Sequence, residues 1–128
     1  MARETGCKTA LATMSGRERT QQVLEALNLV EAFDFVATRD DVEEGKPDPE
    51  IYHLVCEELG VLADRSLPVE DSPSGVKAAL MANLRCFAVT TPFTREKIHS
   101  QGLLDGRWIV DDPDVLPDLV RDLIEDSR

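Results

Sequence analysis

Five apolar runs of strand length, "TALAT" (9–13), "FDFVAT" (33–38), "RSLPVE" (65–70), "RCFAVT" (85–90) and "RWIV" (107–110), alternate with longer stretches of helical spacing. Strands separated by helices pair in parallel through crossovers, and the helices must cover the sheet faces. The order predicts an α/β chain with a parallel sheet and with polar residues gathered at the carboxyl ends of its strands. At 128 residues, 42% of them apolar, the chain reads as one domain with a modest core.

The helices can be placed by their apolar faces and start signals. "SGRERTQQVLEALNL" has helical spacing at Val23, Leu24 and Leu27, and Ser15 with Glu18 three residues on reads as a capping box that starts the helix near Gly16. Pro49, with Asp48 as its cap, opens a helix whose buried side is Ile51, Leu54, Val55 and Leu59. "DSPSGVKAALMANL" is a helix entered through Pro73, and a short helix in "TPFTREKIHSQGLLDG" stops near Gly102. The last helix carries Val115, Leu116, Leu119, Val120, Leu123 and Ile124 as one apolar stripe. Pro68 forfeits a ladder hydrogen bond within "RSLPVE", which a central strand tolerates poorly.

Charge narrows the partners. With 25 acidic against 14 basic residues the formal net charge is −11, which repels nucleic acid and anionic lipid at long range. Neither a nucleic acid nor a membrane partner is expected. A phosphorylated substrate would be repelled too, so a phosphate site would need a local cation or a bound metal. Cys7, Cys56 and Cys86 are widely spaced, without a CxxC pair, and read as reduced thiols. No charged-then-apolar leader and no apolar run of about 18 residues appears, so a cytoplasmic location is expected. His53 and His99 read as surface or packing residues.

Three polar features fall where strands end: Thr13 and Ser15 after the first run, Lys46 in "GKPDPEIY", and Glu70 with Asp71 in "VEDSPSGV". Hydroxyls and amides can grip phosphate oxygens, a lysine can neutralise them, and paired carboxylates can hold a hard divalent cation. Each has a plainer reading: Ser15 as a cap, Thr13 as a strand residue, Lys46 as a solvated group, and the acidic pair as residues favoured before a helix N-terminus. Their joint order at successive strand ends favours half of a phosphoryl-transfer site.

"LATMSG", "GKPDPEIY" and "VEDSPSGVKAA" resemble the second, third and fourth motifs of the haloacid dehalogenase superfamily, in the subgroup of β-phosphoglucomutase and phosphoglycolate phosphatase. The resemblance covers nearly the whole chain. It implies that Thr13, the backbone amide of Met14 and Ser15 grip the transferring phosphoryl group, and that Lys46 neutralises it and orients the nucleophile. It also implies that Glu70 and Asp71 contribute to a Mg2+ site, directly or through water. The expected fold is a partial three-layer Rossmann-like parallel sheet, a single core domain over 1–128 without a cap domain. The implied activity is that of a magnesium-dependent phosphatase of a small phosphorylated metabolite, with a sugar-phosphate mutase as the alternative.

Members of that superfamily carry a D-x-D-G-T-type motif whose first Asp is the nucleophile, and no such string occurs among the 128 residues. "WIVDDPDV" only imitates it, because Pro113 separates Asp112 from Asp114 and no Gly-Thr follows, so these acids read as a helix start. "TRDDV" reads as loop. In the family the strand carrying that motif lies between those ending at Thr13 and Glu70. Without it the sheet would have two unpaired inner edges, marginal stability, and a tendency to self-associate or to accept a complementing chain. Taken alone, the chain is expected to be inactive. A phosphate- or partner-binding module without turnover is the competing reading; a dinucleotide-binding domain is weaker, for no G-x-G-x-x-G follows the first strand.

Overall fold

The structure, a computed structural model, describes residues 6–126. Its strands are β1 (Ala10–Ala12), β2 (Phe35–Ala37), β3 (Val69–Glu70), β4 (Phe87–Val89) and β5 (Ile109–Val110). Its helices are α1 (Arg17–Ala26), α2 (Glu50–Leu59), α3 (Pro73–Met81), α4 (Arg95–Gln101) and α5 (Leu116–Asp126). Short 3-10 turns lie at Arg39–Asp41, Ala63–Arg65, Gly106–Trp108 and Pro113–Val115.

Every strand pair is parallel, as the alternation predicts, yet the strands form two sheets rather than one. β1 pairs with β2 in the register Ala10 to Phe35, and β3–β4–β5 form the second sheet. β1 and β3 do not pair, so the expected sheet lacking its central strand is what the chain adopts. Alternate residues of a parallel strand bond to alternate sides. Thr13 N bonds Ala37 O at 3.0 Å and Thr9 O accepts from Asp34 N at 2.8 Å, so Ala10 and Ala12 face away from β2. In β3, Pro68 O accepts from Phe87 N, which leaves Val69 on the side away from β4. The two open edges therefore border one groove.

The core joins the two sheets through helices. Ala37, Ile51, Val76, Ala78, Ala79, Cys86 and Ala88 are almost wholly buried and belong to one apolar cluster. α2 packs on β1 and β2 and touches α3, and Ala78 and Ala79 of α3 share one apolar cluster with Ala88 of β4. Phe87 meets Trp108 with ring centroids 5.0 Å apart, fastening β4 to the turn before β5. In α5, Leu116, Leu119, Val120 and Leu123 are half-buried and Val115 just before it is exposed; the side chain of Ile124 lies outside the described residues.

The start signals divide. Ser72 caps α3 by accepting from Gly75 N at 3.2 Å, whereas the N-cap of α2 is Pro49 and not the expected Asp48, which stands one residue earlier and accepts from Glu50 N at 2.9 Å. The capping box at Ser15 does not form: Gly16 is the N-cap of α1 and has no side-chain cap. Ser15 is instead tied into a turn, its amide on Thr13 Oγ1 at 3.1 Å and its carbonyl on Arg39 N at 3.1 Å, and Asp40 reaches across to bond Arg17 N at 2.8 Å. A reciprocal box forms at Thr38 and Asp41. The third strand is shorter than its apolar run, pairing only at Val69–Glu70 after Pro68, and Asn83 at φ 63 ends the α3 segment. Asp112 accepts from Asp114 N at 3.0 Å, the helix-start role expected of it.

Candidate active site

The carboxyl ends of β1 and β3 are bridged by one side chain. Lys46 Nζ donates to Ala12 O at 3.1 Å and to Glu70 Oε2 at 2.6 Å. Both side chains of this ion pair are only 8% exposed. An ammonium and a carboxylate this deep are retained only if each is bonded, and both are. The loop carrying Lys46 is held against the end of β1 by Met14, whose Sδ accepts from Lys46 N at 3.2 Å and sits against Gly45.

A third group shares the carboxylate. Tyr52, buried in α2, donates its hydroxyl to the same Glu70 Oε2, and its ring lies 5.3 Å from Lys46 Nζ, within cation–π range. Burial raises the Tyr52 pKa well above the ordinary phenol value, and the neighbouring Glu70 charge and hydrogen bond raise it further, so the hydroxyl stays protonated and donating. Burial, with the same carboxylate nearby, pushes the Cys86 thiol up to about 12, so it is an inert core thiol as its sequence setting suggests. On the far side of Glu70 stands Gly75, in the first turn of α3. A Cβ built there would lie closer to Glu70 Oε1 than any real Cβ comes.

The structure thus brings Lys46 and Glu70 into contact and sets Thr13, Met14 and Ser15 at the adjoining strand end. The Thr13 hydroxyl accepts from Ser15 N and so retains its own proton for donation. Asp71 is exposed and, among the described residues, makes no hydrogen bond or ion pair. Glu70 and Asp71 do not join a larger cluster, and no group of three His, Cys, Asp or Glu able to hold a metal occurs among the described residues. In donor type the pair suits Mg2+, which takes hard oxygens in a near-octahedral shell. In number and direction it does not complete a site, since Glu70 is turned onto Lys46 and Tyr52. An ion held by Asp71, and by Glu70 directly or through water, would need further oxygens from outside this set.

Tyr52 and Gly75 are the residues that sequence reasoning missed here. A signal for Tyr52 existed: Tyr52, Val55, Cys56 and Leu59 follow i, i+3, i+4, i+7, so the phenol shares the inward stripe of α2. Those four residues also floor a cavity of about 870 Å³ between the open edges of β1 and β3, with Val120 and Leu123 of α5 contributing to its wall. Ala12 and Tyr52, both in contact with Lys46, line the same groove.

Residues 2–89 match the family model for haloacid dehalogenase-like hydrolases. The chain belongs to the haloacid dehalogenase-like hydrolase family. It is similar to the phosphorylated carbohydrates phosphatase of Thermotoga maritima, 44% identical over 105 residues that make up 81% of this chain and 44% of that protein. It is also similar to the validoxylamine A 7'-phosphate phosphatase of Streptomyces hygroscopicus subsp. limoneus, 33% identical over 77% of this chain and 48% of that one. Among solved structures, a Thermotoga maritima protein classed provisionally as a beta-phosphoglucomutase superposes with a TM-score of 0.84 at 31% identity, covering 94% of this chain and 55% of that one. The chain spans rather less than half the length of these two phosphatases. As a haloacid dehalogenase-like hydrolase its phosphatase and phosphomutase kinship is plain, and no helix among the described residues is long and apolar enough to cross a membrane.

Proposed function

We propose that this chain supplies the phosphate-gripping and charge-balancing half of a magnesium-dependent phosphatase acting on a small phosphorylated metabolite. The name of its Thermotoga maritima relative favours a phosphorylated carbohydrate. The observation that carries the reading is Lys46, an almost buried ammonium held at the meeting point of two strand ends in a chain of net charge −11. Two of its three N–H groups are used on Ala12 O and Glu70; the third can meet a phosphoryl oxygen. Beside it the Thr13 hydroxyl and the Met14 amide would donate to the same group, with Ser15 in the same turn. Phosphoryl transfer asks mainly for such positioning and charge balance. Mg2+ would add further charge neutralisation near Asp71.

What this half lacks is a carboxylate nucleophile, for no D-x-D-G-T string occurs in the sequence. The reading therefore has the acid arrive on an extended segment seated parallel to β1 and β3 in the groove below Lys46. The chain alone is inactive, and its open edges also leave it prone to pair with a second copy.

Hydrolysis of p-nitrophenyl phosphate with Mg2+ tests this. The expected result is no turnover by the chain alone, turnover by a version extended with a D-x-D-G-T strand segment, and loss of that turnover in Lys46→Ala and Asp71→Ala. Turnover by the short chain, dependent on Asp71, would overturn the missing-nucleophile argument. An extended version that folds but never hydrolyses phosphate would overturn the phosphatase reading.

A further inference from the structure

Glu70 is gripped on both sides. Its Oε2 receives Lys46 Nζ and the Tyr52 hydroxyl, and its Oε1 occupies the space that the missing side chain of Gly75 leaves open. A flexible glutamate has little reason to keep one rotamer unless its surroundings fix it, and here a phenol from α2 and a bare backbone from α3 do so. Lys46 inherits that order: its ammonium has two protein acceptors, of which Ala12 O is a fixed strand carbonyl and Glu70 is a side chain that could swing away. We infer that Tyr52 and Gly75 are positioning residues, a clamp that fixes Glu70 and through it sets where the Lys46 ammonium stands at the end of β1. The catalytic meaning of the clamp rests on the phosphatase reading above; its existence does not.

The clamp differs from ordinary core packing in what it protects. A tyrosine that merely fills α2 would, on losing its hydroxyl, leave Lys46 where it is. A clamping tyrosine would free Glu70 to turn and so release the lysine. Gly75 makes the same prediction from the other side, since the three atoms nearest an added methyl all belong to the Glu70 carboxylate.

Site-resolved acetylation of the folded chain with an N-hydroxysuccinimide ester, read by peptide mass spectrometry, separates the two. Lys8, Lys77 and Lys97 are exposed and serve as internal standards for the shielded Lys46. In Tyr52→Phe, and independently in Gly75→Ala, Lys46 should acetylate about tenfold faster relative to those three, the factor expected when one hydrogen bond to a charged group is lost. An unchanged Lys46 rate in either folded variant would overturn the clamp, and so would an equal rise at all four lysines, which would make Tyr52 a packing residue only. The readout needs no turnover, so an extended chain that fails to hydrolyse phosphate sinks the functional reading and leaves this result standing.

Discussion

Two strand-end carboxylates, Glu70 as the last residue of β3 and Asp111 just after β5, gather donors in opposite ways. Glu70 is buried and holds Lys46 and Tyr52 through a single oxygen. Asp111, about a third exposed at the side chain, accepts from Thr90 Oγ1 at 2.6 Å, stands 3.0 Å from His99 Nε2 through either oxygen, and faces Arg95 Nη2 at 3.3 Å. Glu70, 8% exposed at the side chain, has little water to replace a lost partner; Asp111, 30% exposed, has more. The same chemistry is therefore all-or-none at one strand end and graded at the other.

The largest effect should come from breaking the buried pair on one side only. Lys46→Ala leaves a carboxylate in the interior with Tyr52 alone, and should cost about 3–5 kcal/mol by urea denaturation. Replacing all three groups together, Lys46→Met with Glu70→Leu and Tyr52→Phe, removes the stranded charge and the stranded hydroxyl at once. It should recover most of that loss, because well-packed apolar substitutes for a buried pair are often neutral or better. A triple variant no more stable than Lys46→Ala would mean that the pair itself, rather than the penalty for splitting it, holds this end of the fold.

Next in size is the effect of filling the groove. Ala10 of β1 and Val69 of β3 present backbone groups to it, and a peptide of alternating apolar residues ending in Asp has the shape and charge to lie beneath Lys46. At a hundred times its dissociation constant such a peptide should stabilise the chain by about 2.7 kcal/mol. Hydrogen exchange would slow at Ala10 and Val69 beyond the uniform slowing that the added global stability brings to the amides of β4. Stabilisation with no such extra protection at those two residues would place the peptide elsewhere and disconnect the groove from the site.

Much of this could be seen in the residues. The alternation of short runs and helical stretches predicts five parallel strands because a period of two and a period of 3.6 are local properties, and the strings around Thr13, Lys46 and Glu70 mark the strand ends. Contacts set by tertiary packing were not visible. Ser15 with Glu18 and Thr38 with Asp41 have the same spacing, yet only the second closes a box, because Thr13 and Arg39 had already claimed the backbone of Ser15. Tyr52 and Gly75 stand 18 and 5 residues from Glu70, and only the folded packing of α2 and α3 against β3 brings both onto one carboxylate. His99 reads as an ordinary helix residue until β5 sets Asp111, 12 residues later, against it.

The smallest effect is the one that pH reveals at Asp111. Its hydrogen bond from Thr90, then that from His99 and the pairing with Arg95, lower its pKa from 3.8 to about 2. A carboxylate whose folded pKa lies below its unfolded one stabilises the native state above the unfolded value, and that contribution is lost as pH falls through the folded one. Asp111→Asn should therefore be less stable than the parent at pH 5, and the gap between the two should narrow as the pH is taken from 3.8 towards 2. Urea midpoints of both proteins across that window measure it. A gap that stays constant would show that Asp111 acts through shape alone, and the graded strand end would then be no more electrostatic than the apolar packing around it.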